Sequence, residues 1–187
     1  LRVNGETIID ASAPDIERGS SFFGFGSIEM SADIDFEAGE AVTVEIEFTN
    51  EGAILLAGVI VGGKAVVERD LVGEAAALAA ECDVAVVVVG TNDDWETEGR
   101  DRDLWELPGG QPALIRAVAA VNPRTVVVLN VGSPHSLDWL DEPAAVLSVG
   151  FGGQELGEAV VDMLVGDVEP GGRAPTTIGA RYEHFAA

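Results

Sequence analysis

Lysine is almost missing from this chain. Of its ten basic residues nine are arginine and only Lys64 is lysine, against 33 acids, which leaves a formal net charge of −23. A surface so negative repels the phosphates of nucleic acids and the headgroups of anionic membranes, so neither is expected as a partner. Acid-rich, lysine-poor surfaces suit concentrated salt, where screening removes self-repulsion. A halophilic source is therefore one expectation, and a genome that favours arginine codons is the other. Cysteine is nearly absent as well. The single Cys82 excludes a disulfide within the chain, and its place on the apolar side of a helical pattern predicts a buried thiol. No apolar run approaches the roughly 20 residues of a membrane-spanning helix. The first residues, LRVNGETIID, lack the basic start and apolar core of a signal peptide, so they assign no compartment.

What is present is a globular composition, 47% hydrophobic and 23% charged over 187 residues, long enough to bury a core. Residues 1–63 read as β structure. In Ser31–Phe36 and Ala41–Phe48 apolar and polar residues alternate, with Val42, Val44, Ile46 and Phe48 on one face, the period of a half-buried antiparallel strand. Glu37–Glu40 is a turn, and a further strand is expected at Ala53–Val61. The register changes near Gly62–Glu68. Apolar residues then recur at helical spacing through Leu71, Ala75, Leu78, Ala79 and Cys82, followed by Val84–Gly90 (VAVVVVG), a run fit for a buried strand. A helix is predicted over Gln111–Asn122, with Pro112 in its first turn and Asn122-Pro123 as its stop. Thr125–Val131 and Ala145–Val149 are two more apolar strands. A helix over Gln154–Val165 presents Leu156, Val160, Val161 and Leu164, and Gly166–Ala187 is an irregular tail. Strands alternating with helices imply a parallel sheet. The fold class is thus α/β, a partial parallel-sheet α/β sandwich (65–187) preceded by a partial antiparallel β-sandwich segment (1–64).

Between the first of these strands and its helix lies Thr91–Gly110, with seven acids (Asp93, Asp94, Glu96, Glu98, Asp101, Asp103, Glu106), two arginines and two of the three tryptophans. A polar loop at the carboxyl end of a strand is where open α/β sheets place their ligands. Paired carboxylates serve glycoside hydrolysis, in which one protonates the leaving oxygen and another attacks the anomeric carbon or activates water. Glu96 and Glu98 sit near Trp95 and other carboxylates, which favours a raised pKa, while Arg100 and Arg102 hold selected acids ionised. The plainer reading of the same loop is a solvated acidic face. Asp93, Asp94, Glu96, Asp101 and Asp103 offer oxygens to calcium, but the spacing is not an EF-hand and the two arginines oppose a cation, so no metal is expected. Ser133-Pro134-His135 follows the second strand without a Gly-x-Ser-x-Gly elbow, which makes His135 a polar strand-end residue beside the shared cleft. Gly150–Gly153 lacks the Lys-Ser/Thr of a phosphate loop, and no cofactor is expected. Phe22, Phe23 and Phe25 in GSSFFGFG are either core contacts under a loop or an aromatic wall against a ligand.

The order of motifs, WETEGRDR from Trp95, LPGGQ from Leu107, NPRTVVVLN from Asn122, GQE from Gly153 and GDVEPGGRAPTT from Gly166, resembles the carboxy-terminal α/β sandwich domain of family 3 glycoside hydrolases, the β-glucosidase group. Residues 1–63 look like the latter part of the protective-antigen-type β-sandwich inserted in some members. The resemblance implies a retaining, exo-acting enzyme whose aspartate nucleophile lies on a preceding barrel domain, and whose substrate is a β-linked oligosaccharide or glucoside. The family's Glu-Gly-x-Asp-Arg pattern falls on Glu98–Arg102. It implies Glu98 as general acid/base, with Glu96 the runner-up, and Asp101 and Arg102 bracing the loop. It also implies Phe22, Phe23, Phe25 and Trp95 as sugar-binding residues. A piece lacking the nucleophile is expected to be inactive alone. The rival reading is a non-catalytic carbohydrate-binding or packing module, and a weaker one is a flavodoxin-like phosphate binder.

Overall fold

The computed structural model describes residues 1–12, 16–19, 26–51, 58–66, 68–98, 101–179 and 182–184. The chain divides into two compact units, Leu1–Glu68 and Arg69–Ala187.

The first unit holds a small antiparallel sheet in the order β2-β1-β3, from β1 (Arg2–Val3), β2 (Glu6–Thr7) and β3 (Val44–Glu45). Asn4 and Gly5 join β1 to β2 with positive φ of 49° and 82°, the conformation that a two-residue hairpin needs and that Asn-Gly supplies at least cost. The Asn4 side chain then accepts from Thr43 N at 3.0 Å, which ties the turn to the third strand. Less strand forms here than the alternation predicts. Ser31–Phe36 contains none, Ala41–Phe48 supplies only two residues, and Ala53–Val61 lies partly outside the described residues. Val44, Ile46 and Phe48 are about half exposed or more. An alternating pattern specifies one apolar face, but the face is buried only where a second layer meets it.

The second unit is an α/β layer structure: α1 (Leu71–Ala80), β4 (Ala85–Gly90), α2 (Gln111–Val121), β5 (Thr125–Asn130), β6 (Ala145–Ser148) and α3 (Leu156–Val165), with a 3-10 turn at Tyr182–His184. β4, β5 and β6 are parallel and adjacent in chain order, with Val87 opposite Val127 and Val128 opposite Leu147. One face of the sheet (Val87, Val89, Val127, Leu129) packs against Ala75 and Ala79 of α1 and Ile115 and Val118 of α2, and Leu107, Val131 and Trp139 close the core from the loops. Asp70 caps α1 by accepting from Gly73 N. At its other end the buried Asn122 amide donates to the carbonyls of Ala79 and Cys82, each at 2.9 Å, and accepts from Arg124 N. Those carbonyls belong to the helix end, where intrahelical partners run out.

Three expectations need correction. Cys82 is exposed, because α1 ends at Ala80 and the chain has turned away from the core. β4 is buried on one face only, with Val86 and Val88 exposed. A run of valines carries no period that tells a two-sided strand from a one-sided one. On α3, Val161 and Leu164 are exposed and no residue is fully buried.

Candidate active site

The Thr91–Gly110 loop leaves the carboxyl end of β4 and is clasped at both ends by Gln111, the first residue of α2. Its amide oxygen accepts from Gly90 N at 2.7 Å, and its nitrogen donates to the carbonyls of Gly90 and Pro108. Gly90 is glycine for a steric reason, since a Cβ there would lie 2.0 Å from the carbonyl oxygen of Asn130 on β5. Asn92 starts the loop with a tight turn, its carbonyl accepting from the backbone of both Trp95 and Glu96. That turn points Glu96 back towards the segment after β5.

Glu96 sits there among converging donors, its side chain 11% exposed. One carboxylate oxygen accepts from the Thr91 hydroxyl and from Gly132 N, and the other from the Ser133 hydroxyl at 2.7 Å. Gly132 permits the approach, since a Cβ there would lie 3.0 Å from Glu96 Oε2 and closer still to the Phe151 ring. Arg102 reaches the same place from the far end of the short loop. It donates from Nε to Leu104 O and from Nη1 to Ser133 Oγ, both at 2.9 Å, and from Nη2 to Pro134 O, with Nη1 3.6 Å from Glu96 Oε1. Ser136 N donates to Trp105 O at 2.8 Å. The two loops at the carboxyl ends of β4 and β5 are thus stitched along their length.

The electrostatics follow from this packing. Burial alone would raise the Glu96 carboxyl, but hydrogen bonds from Thr91, Ser133 and Gly132 outweigh it and hold the group below the usual carboxylate range. Burial lowers the Arg102 guanidinium from its ordinary value, with the Glu96 charge opposing. His135 is buried and is also lowered, first by burial and further by Arg102, with the Ser133 carbonyl and Glu96 acting the other way. At neutral pH the cluster is an ionised carboxylate, a guanidinium and a neutral imidazole.

Above it opens a concavity of about 390 Å³ lined by Trp95, Glu96, Thr97, Asp101, Arg102, Gly132, Ser133 and Phe151. Trp95 and Phe151 are exposed aromatic walls over a polar floor. Glu98 is exposed, two residues after Glu96, and among the described residues its carboxylate has no hydrogen-bond partner. Asp101 is exposed at the rim. The arrangement brings Trp95, Glu96, Asp101 and Arg102 together. Phe22, Phe23, Phe25, Gly99 and Arg100 lie outside the described residues. Nothing in the sequence alone singles out the side chains of Thr91 and Gln111 or the bare backbone of Gly132, whereas Ser133 stands in the Ser133-Pro134-His135 string weighed above. No group of three or more His, Cys, Asp or Glu suited to a metal occurs among the described residues.

A polar loop at the carboxyl edge of a small parallel sheet is where open α/β folds place their ligands. The model of the glycosyl hydrolase family 3 C-terminal domain matches residues 8–187, and the chain belongs to that family. It is 34% identical over 194 residues to a probable beta-glucosidase I of Aspergillus terreus, which covers 98% of this chain and 23% of the relative. Identity to a beta-glucosidase of Kluyveromyces marxianus is 38% over 178 residues, covering 91% of this chain and 21% of the relative. A crystal structure of the Kluyveromyces enzyme superposes with a TM-score of 0.77 over 98% of this chain and 22% of that one, at 31% identity. A beta-D-glucoside glucohydrolase of Trichoderma reesei matches 63% of this chain and 18% of its own, with a TM-score of 0.56 and 30% identity. The chain therefore spans less than a quarter of the length of these relatives.

Proposed function

We propose that this chain forms part of a retaining, exo-acting β-glycosidase that removes terminal β-linked sugars from glucosides or oligosaccharides. In this reading Glu98 is the general acid/base and an aspartate nucleophile stands on a barrel domain of the same enzyme. The relatives named above are called beta-glucosidases, and the Kluyveromyces enzyme has been crystallised with glucose. Residues 65–187 supply the sandwich domain, and residues 1–64 belong to a protective-antigen-type insert.

The observation that carries the assignment is the contrast between the two glutamates. A general acid must present an oxygen that is free of protein partners to the glycosidic oxygen. Glu96 is ionised, and both of its oxygens are occupied by protein donors. Glu98 is exposed and follows directly on Thr97, a residue that lines the concavity. In sequence it stands between two anchored residues, Glu96 and Arg102, and fixed neighbours favour the positional control that acid catalysis needs. Trp95 offers a ring to a sugar, Arg102 braces the loop and Asp101 stands at its rim. Phe22, Phe23 and Phe25 remain the proposed outer wall.

The test is Glu98→Gln in the full-length enzyme. Turnover of cellobiose and other poor-leaving-group glucosides is expected to fall by roughly two to four orders of magnitude. The Glu98→Ala variant should be rescued by azide on activated aryl glucosides. Unchanged turnover of cellobiose by Glu98→Gln removes Glu98 from the role. Sugar binding by the enzyme without any hydrolysis would instead favour the carbohydrate-binding module.

A further inference from the structure

Phe151 stands in the Gly150–Gly153 turn after β6, a segment that the proposed chemistry leaves unused. Its side chain is 53% exposed, yet its place is closely set. Gly150 turns the chain ahead of it with a φ of 62°, a conformation that favours glycine. Gly132, in the loop after β5, receives the ring: a Cβ there would lie 2.6 Å from Phe151 Cε2 and 2.9 Å from Cδ2. A Cβ on Gly152 would meet Leu156 Cδ1 at 2.6 Å, so the turn is also drawn tight against the start of α3. Three bare backbones thus seat one aromatic ring, and that ring lines the concavity together with Trp95.

The polar side chains of the same concavity are largely committed to one another. Glu96 accepts at both oxygens from Thr91, Gly132 and Ser133. Ser133 Oγ accepts from Arg102 Nη1 while it donates to Glu96, and Arg102 also donates to the carbonyls of Leu104 and Pro134. A molecule entering here meets few free donors or acceptors on that floor. It does meet two open aromatic surfaces, Trp95 and Phe151. Free polar groups are what read the orientation of hydroxyls, whereas aromatic walls supply contact area to a flat or apolar surface.

We propose that Phe151 is a substrate-binding residue whose ring contacts the leaving group of the glycoside, and that this wall favours leaving groups with an aromatic or apolar face over hydroxyl-rich sugars. The inference rests on the glycosidase reading. There Glu98, next in sequence to the lining residue Thr97, protonates the glycosidic oxygen, while the anomeric carbon meets a nucleophile on another domain. What remains for this chain to hold is the group beyond that oxygen.

The full-length enzyme tests it, with kcat and KM measured on 4-nitrophenyl β-glucoside and on cellobiose. Phe151→Ala and Phe151→Leu should each lower kcat/KM for the aryl glucoside about three- to tenfold, the range of one aromatic contact. The loss should fall on KM more than on kcat, and be smaller for cellobiose. Phe151→Tyr, which returns a ring, should recover most of it. Melting temperatures of the alanine and leucine variants should stay within about 2 °C of the wild type, as for other exposed positions. Equal losses on both substrates, or a leucine variant indistinguishable from the wild type, would overturn the inference. So would a fall in melting temperature with the ratio of the two substrates unmoved, since the ring would then be covered by protein. If Glu98→Gln leaves cellobiose turnover untouched, the acid assignment fails whatever the Phe151 variants do. An enzyme that hydrolyses neither glucoside sinks the glycosidase reading and this inference with it.

Discussion

Replacing Arg102 by lysine keeps the charge and removes the fork. The guanidinium serves Leu104 O, Ser133 Oγ and Pro134 O at once while meeting His135 Nε2 and approaching Glu96. An ammonium on a flexible stem can satisfy one or two of these. Two acceptors are then left short in a site where the arginine side chain is only 14% exposed. Each deprived acceptor costs about 1–3 kcal/mol, and water entering from the concavity recovers part of it. The expected loss for Arg102→Lys is therefore about 2–3 kcal/mol, or roughly 10 °C in Tm for a unit of this size. All three tryptophans, Trp95, Trp105 and Trp139, lie in residues 69–187, so urea unfolding followed by their fluorescence reports on this unit. Combined with Glu96→Gln, the two losses should fail to add by about 1 kcal/mol, because the residues share Ser133 and face one another. A variant within 0.5 kcal/mol of the wild type, or strict additivity in the cycle, would refute the claim that this cluster holds the two loops together.

Asn122→Asp turns the amide nitrogen that serves Ala79 O and Cys82 O into an oxygen facing them. It should destabilise by about 2–4 kcal/mol in urea, less at acid pH where the new carboxyl is protonated; a loss below 0.5 kcal/mol would mean that the end of α1 does not depend on it. With a net charge of −23, self-repulsion should limit stability at low ionic strength. The melting temperature measured by calorimetry is expected to climb from millimolar to molar sodium chloride, and a flat response would remove repulsion as a factor.

Periodicity carried the second unit well. The apolar spacing of Leu114, Ile115 and Val118, the Pro112 start and the Asn122-Pro123 stop place α2 within a residue of its observed span. The β4 and β5 runs likewise begin and end within a residue of their valines. The loop between β4 and α2 stands out in the sequence because its composition differs so sharply from its flanks, and the structure gives it a polar concavity. Which of its carboxylates is buried was not legible. Glu96 acquires its partners from Gly132 and Ser133, 36 and 37 residues onward, and no local pattern encodes a meeting of two loops. His135 was read as a strand-end residue for the same reason. In the first unit the error ran the other way. Alternation at Val42, Val44, Ile46 and Phe48 predicts more strand than forms, while the Asn4-Gly5 pair, a local hairpin signal, makes the turn between β1 and β2.

Val86 and Val88 stand bare on β4, an outermost strand of its sheet. Such an edge is a template on which another copy can lay a strand of its own. Copies that share a net charge of −23 repel one another, so the acidic coat opposes such pairing at the valine face. Near the isoelectric point of about 4.1 that guard vanishes. Concentrated salt screens it too, so the condition expected to relieve repulsion within each molecule also lowers the barrier between molecules.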